Sequence, residues 1–180
     1  KNKDKKIVFT VGAFELLHWG HLEFLKKAKA LGDLLVVGVA SDESRRKLKG
    51  EPYPLITDRT RAETLAHFPF IDAVMIVNEE DVKQELKSLK PKVFYTVSKD
   101  WREGIRKESE QKLLKSWQGK VAKARYLSPN LSSSQMIERV ALLKIKQVLG
   151  QKTRKQPILG FKKAKVIAKH SDFSKASLEA

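Results

Sequence analysis

Five short runs of aliphatic and aromatic residues recur along this chain, at positions 7–11, 34–40, 73–77, 93–97 and 124–127. Each has the length of a strand, is preceded by a charged residue and is followed by glycine, serine or asparagine, although the last of them contains Arg125. Between them the apolar positions change period. Leu22, Leu25, Ala28 and Leu31 recur at every third position and the series ends at Gly32, which predicts a helix with one apolar stripe and a glycine stop. Thr57 or Asp58 caps a second helix running to Phe68, Val82, Leu86 and Leu89 mark a third, and residues 105–117 form a less periodic fourth. A last helix begins after Ser132, carries Ile137, Val140, Ala141, Lys144 and Val148 along one side, and stops at Gly150. Strands alternating with helices in this way predict an α/β fold built on a doubly wound parallel sheet of five strands.

Composition narrows the class. With 180 residues, 41% of them hydrophobic, the chain can bury one core, so residues 1–150 are expected to form one domain and 151–180 a basic C-terminal extension. The absence of cysteine excludes disulfides, thiolate nucleophiles and Cys-ligated zinc, and the expected address is the cytoplasm. The apolar run after the basic first residues is too short for a signal-peptide core, and no run approaches the ~18 apolar residues of a membrane span. The formal net charge of +16 points to anionic partners: nucleic acid, an anionic surface, or anionic substrates. Residues 151–180 hold +6 of it and residues 1–150 the remaining +10, so the body is basic without its extension. The extension is a candidate contact for nucleic acid or an anionic surface, unless its apolar residues around Ile158 and Val166 dock on the body or on a second subunit.

The chemistry concentrates at His18-Trp19-Gly20-His21, directly after the first strand-like run and at the start of the first helix. Two imidazoles three positions apart on a first helical turn face the same side. That turn also presents unpaired N–H groups and the positive end of the helix dipole, so a phosphate there meets donors and two titratable rings together. Gly20 leaves room for a ligand to approach the backbone. In a doubly wound sheet ligands bind at the carboxyl ends of the strands, and the other candidate segments, Ser98 to Trp101 and Ser132 to Ser134, fall at such ends.

With Val11-Gly12-Ala13-Phe14-Glu15 before it, this segment resembles the H-x-G-H signature of the cytidylyltransferase-like nucleotidyltransferases. The run from Gly32 to Asp42, the basic stretch Arg46-Lys47-Leu48-Lys49-Gly50, Arg61-Ala62-Glu63-Thr64-Leu65 and Ile71-Asp72 look like successive landmarks of that family, most similar to the heptose-phosphate adenylyltransferases. The resemblance implies a Rossmann-like nucleotidyltransferase fold, a homodimer, and transfer of a nucleoside monophosphate from an NTP to a small phosphorylated acceptor. ATP with Mg²⁺ is the implied donor, a sugar phosphate such as heptose 1-phosphate the implied acceptor, and pyrophosphate the leaving group. In this reading His18 and His21 donate to phosphates and Arg61 grips phosphate through its guanidinium. Lys47 and Lys49, in a flexible loop after Ser44, close over the α-phosphate. Gly12, Ala13, Phe14, Gly20, Trp101, Ser132, Ser133 and Ser134 surround the nucleotide. Each of these has a plainer reading: solvated lysines, an exposed helix arginine, an N-cap at Ser132, a tryptophan anchoring the fourth strand.

Three departures qualify the match. Glu15 replaces the family's Asp, Ser98-Lys99 stands where a glycine turn is usual, and Ser128-Pro129-Asn130-Leu131 replaces an arginine-led segment typical of cytidylyltransferases. The missing arginine favours ATP over CTP. The run Phe14-Glu15-Leu16-Leu17-His18-Trp19-Gly20-His21 keeps a glycerol-phosphate-type cytidylyltransferase open, and the serine cluster keeps an archaeal-type FAD synthetase open. A basic module without catalysis, binding nucleic acid or a partner, is the alternative of another class.

Overall fold

In the computed structural model, which describes residues 5–97, 108–124 and 133–149, the apolar runs resolve into a single sheet. Its strands are β1 (Ile7–Gly12), β2 (Leu34–Ala40), β3 (Ala73–Val77), β4 (Val93–Val97) and β5 (Lys120–Ala124). They lie in the order β3-β2-β1-β4-β5 and every neighbouring pair is parallel. The helices are α1 (Trp19–Lys29), α2 (Asp42–Lys49), α3 (Asp58–Ala66), α4 (Lys83–Leu89), α5 (Glu108–Ser116) and α6 (Ser133–Val148). The chain steps outward from β1 to β3, then restarts at β4 on the other side of β1. Strand order therefore reverses between β1 and β4, and the carboxyl ends of these two strands mark the switch point at which doubly wound folds bind ligands.

Alternation along the central strands sorts the core into two layers. Val8, Leu35 and Val37 join Phe24, Leu25 and Ala28 of α1 and Leu65 of α3 on one face, with Phe24 stacked on Tyr95 at 4.8 Å. Phe9, Val36 and Phe94 face Val82, Leu86 of α4 and Leu114 of α5 on the other. At ~25 cal/mol per Å² of apolar surface, burying side chains of this size fully is worth about 1.5–3 kcal/mol each before entropy is subtracted.

Two elements differ from the sequence reading. The fifth strand is described at Lys120–Ala124, so it begins four residues before the expected start at 124, where exposed Lys120 and Lys123 interrupt the apolar pattern of an edge strand; residues 125–127 lie outside the described residues. The stretch holding Lys47 and Lys49 is the helix α2 and not a loop. It has no apolar stripe and is held at its ends instead: Ser41 accepts the Ser44 N–H, Asp42 and Glu43 occupy the first turn, Arg46, Lys47 and Lys49 the last, and Gly50 stops it at φ 74°. The fourth helix is described from Glu108 to Ser116.

The chain divides into two compact units, Lys1–Glu138 and Arg139–Ala180. The sheet and the first residues of α6 belong to the first. In the second, Val140 and Val148, expected on an apolar side of the helix, are 65% and 73% exposed, and no residue of α6 is buried.

Candidate active site

β1 ends in the loop that carries the histidine pair. Gly12 has no side chain for a reason of space: a Cβ there would lie 3.0 Å from the Phe14 ring. Phe14 takes a left-handed backbone at φ 50°, unusual for a bulky residue and costing on the order of 1 kcal/mol or more, and its ring is buried. The ring meets His21 edge-on at 5.5 Å between centroids. His18 is the N-cap of α1, with its carbonyl accepting the N–H groups of His21 at 2.9 Å and Leu22 at 3.3 Å. No side chain caps α1 and no acidic residue sits in its first turn.

The rings of His18 and His21 lie 3.9 Å apart, tilted by 30°. Burial lowers the His18 pKa below the ordinary 6.5. Burial also pulls His21 down to about 4, with the His18 charge adding to the fall and the nearby Leu16 backbone opposing it. Both rings are therefore neutral at pH 7, each carrying one N–H donor. Nδ1 of each ring is buried without a hydrogen bond of normal geometry, as is Thr10 Oγ1 in β1. A buried imidazole nitrogen without a partner in normal geometry marks a place where a polar ligand completes the bonding. Thr10, on the α1 side of the sheet with Val8, was missed from sequence because a threonine inside a strand reads as β-propensity alone.

Ser133, at the start of α6, donates from Oγ to the Leu16 carbonyl at 3.2 Å, a contact across 117 residues. The structure thus brings Gly12, Ala13, Phe14, His18, Gly20, His21 and Ser133 to the carboxyl end of β1. Ser134 is exposed on α6. Trp101 and Ser132 lie outside the described residues, as do Ser98, residues 128–131 and the extension.

The basic residues are placed differently from the sequence reading. Arg61 is only 2% exposed and does not present an open fork to phosphate. Its Nε donates to the Ile56 carbonyl at 2.8 Å, Nη1 to the Ala13 carbonyl at 2.6 Å and Nη2 to Asp42 Oδ1 at 2.8 Å. Lys47 sits on the last turn of α2 and pairs with Glu80 at 2.8 Å, which raises its pKa. Arg45 pairs with Glu79 beside it, and Lys49 is exposed.

A parallel sheet of this order, with an H-x-G-H helix start at the carboxyl end of its first strand, defines a Rossmann-like nucleotidyltransferase domain. The chain belongs to the cytidylyltransferase-like family, whose model matches residues 9–139. The bifunctional protein HldE of Campylobacter jejuni subsp. doylei is 50% identical over 94 residues, covering 52% of this chain and 20% of that protein. HldE of Pelobacter propionicus is 41% identical over 140 residues, covering 78% of this chain and 28% of that protein. The chain spans well under half the length of these relatives. Among solved structures, a lipopolysaccharide core biosynthesis protein from Thermoplasma volcanium is 26% identical with a TM-score of 0.54, over 68% of this chain and 96% of that one. Pantoate-beta-alanine ligase from Francisella tularensis shares the fold at a TM-score of 0.50 and 18% identity, over 86% of this chain and 75% of its own. No helix among the described residues is long and apolar enough to cross a membrane.

Proposed function

We propose that this domain transfers AMP from ATP to a sugar phosphate such as heptose 1-phosphate, with release of pyrophosphate, a reading that the likeness to HldE proteins supports. The observation that carries the reading is the neutral His18–His21 stack at the uncapped start of α1, beside Ser133. An oxygen of the acceptor's phosphate attacks the α-phosphorus in line. The new O–P bond forms as the bond from the α-phosphorus to the bridging oxygen breaks, and the electron pair leaves with pyrophosphate. The attacking phosphate is already ionised at pH 7, so no residue need act as a general base. The protein's task is to orient and to stabilise charge on phosphoryl oxygens. His18 and His21 donate N–H groups to those oxygens, the free N–H groups of the α1 start add to them, and Ser133 ties the start of α6 to the Leu16 carbonyl. Mg²⁺ enters as part of the nucleotide substrate, carried by its phosphates.

The test is pyrophosphate release from ATP and from CTP against a panel of phosphorylated acceptors that includes heptose 1-phosphate and glycerol 3-phosphate. Turnover with ATP and the sugar phosphate is expected. Turnover with CTP alone would move the assignment to the cytidylyl branch, and none with any pair would overturn catalysis.

A further inference from the structure

We propose that Arg61 is a positioning residue of this site. Through the Ala13 carbonyl and the Asp42 carboxylate it fixes the loop after β1 against the start of α2, and so sets the His21 ring without touching phosphate. A guanidinium with 1% side-chain exposure needs its N–H groups met inside the protein, and each of its three nitrogens has a partner from a different segment. The bond to Ile56, five residues away, would suffice to steady the start of α3. The other two reach across 48 residues to Ala13 and 19 to Asp42, which a local stabilising role does not require.

The Ala13 carbonyl belongs to the peptide that leads into Phe14, the residue with the left-handed backbone. On the other side of Phe14, the buried Glu15 carboxylate accepts the Leu55 N–H. Two clamps from the α2–α3 segment, at residues 55 and 61, thus flank the one strained residue of the loop, whose ring lies against His21. Glu15, a departure from the family's Asp, has the added reach of one methylene in this clamp. Asp42 extends the tie to α2. Its Oδ1 also accepts the Asp58 N–H at 2.7 Å, while Asp58 Oδ2 accepts the Asp42 N–H at 2.9 Å, so the starts of α2 and α3 cap each other. Arg61 joins this reciprocal cap to the histidine loop, which couples the helix bearing Lys47 and Lys49 to the ring pair.

The kinetic arm of the test rests on the proposed nucleotidyl transfer, and the spectroscopic arm does not. Arg61→Lys keeps a charge near Asp42 and loses the fork. It is expected to lower kcat by about 10–100-fold while the KM for ATP moves by less than about 3-fold, the pattern of misplaced donors rather than a lost ligand. In the unliganded protein the His21 ring resonances are expected to shift. Asp42→Asn, which keeps the size of the side chain, should move both readouts the same way by a smaller amount, and the double variant should fall no further than Arg61→Lys. Should Arg61→Lys not fold, Asp42→Asn alone carries the test through kcat and the His21 signal. A rise in KM of about tenfold or more with kcat retained would make Arg61 a phosphate ligand and overturn the proposal. A lower Tm with kcat and the His21 signal both unchanged would make it a structural arginine and overturn it equally. If the wild-type protein turns over no acceptor, the functional reading fails while the His21 resonances still decide the role of Arg61.

Discussion

Acidification should destabilise this fold through His21. The ring is held at about 4 against an ordinary 6.5, and at ~1.4 kcal/mol per unit the difference amounts to up to about 3 kcal/mol. Because the folded value lies below the unfolded one, the unfolded chain takes up the proton first. The stabilisation is complete above pH 6.5, declines as pH falls, and is lost by pH 4, where both states are protonated. His18, shifted the same way by burial, adds to the decline. Asp72 works in a lower window: burial opposes it, but the Lys29 ammonium and the Leu35 N–H hold its carboxyl below 3.8, so its contribution is intact above 3.8 and is lost as pH falls from there through the lower folded value. The assay is urea unfolding at several pH values between 7 and 4 for the wild-type protein and for His21→Asn, which keeps a polar side chain and cannot titrate. The wild-type curve is expected to fall relative to the variant by about 3 kcal/mol over that range. Parallel curves would refute the argument that the ring is buried and neutral. ATP should reverse the shift, since a triphosphate beside the pair favours its charged form. Calorimetry at pH 6 in buffers of different ionisation enthalpy should then show about one proton taken up on binding.

Replacing His18 or His21 by Ala should lower turnover by roughly 10²–10³-fold, the scale of losing one preorganised donor to a transition state, as read by pyrophosphate release; near-normal rates in both would remove the pair from the mechanism. Ser133→Ala removes the bond to the Leu16 carbonyl and should weaken ATP binding by roughly 3–10-fold, about the worth of one hydrogen bond. Unchanged affinity by calorimetry would place Ser133 outside the site.

The elements legible in the sequence are those whose stability comes from burial. The runs at 34–40 and 93–97 match β2 and β4 because these strands have neighbours on both sides in the sheet and are mostly buried, whereas 73–77 matches β3, an edge strand that keeps its apolar run although Ala73 and Ile76 are exposed. β5 escaped that logic at the edge, and α2 escaped it entirely. The sequence Asp42-Glu43-Ser44-Arg45-Arg46-Lys47-Leu48-Lys49 has no face to bury, and its signals are a capping serine and charges ordered along the dipole. At the site the histidine pair was legible since its meaning is local, two rings one turn apart where a strand hands over to a helix. The partners of Arg61 were not. An arginine at the start of a helix has the same local signature whether it grips a phosphate or a carbonyl 48 residues away, and only tertiary placement separates the two.

The three helices that follow β1 and β2 show where the chain reserves room for charge. α2 begins with a serine cap and two acidic residues, and α3 with a threonine cap and Asp58, so the positive ends of both are met by the protein itself. α1 begins with a histidine that caps nothing and has no acid in its first turn. An empty helix start of that kind forgoes about 1 kcal/mol of capping and about 0.3–1 kcal/mol of charge complementarity. Beside it, burial holds two imidazoles neutral with Nδ1 atoms unmet, and a left-handed phenylalanine is clamped against one of them. These are four separate departures from what local stability favours, all at the carboxyl end of one strand. A strongly anionic ligand relieves the first three together: it meets the dipole, accepts from the free N–H groups, and turns the neutral rings into favoured donors. The fourth fixes where those donors stand, which is why a variant that loosens the clamp should cost rate while leaving nucleotide affinity nearly intact.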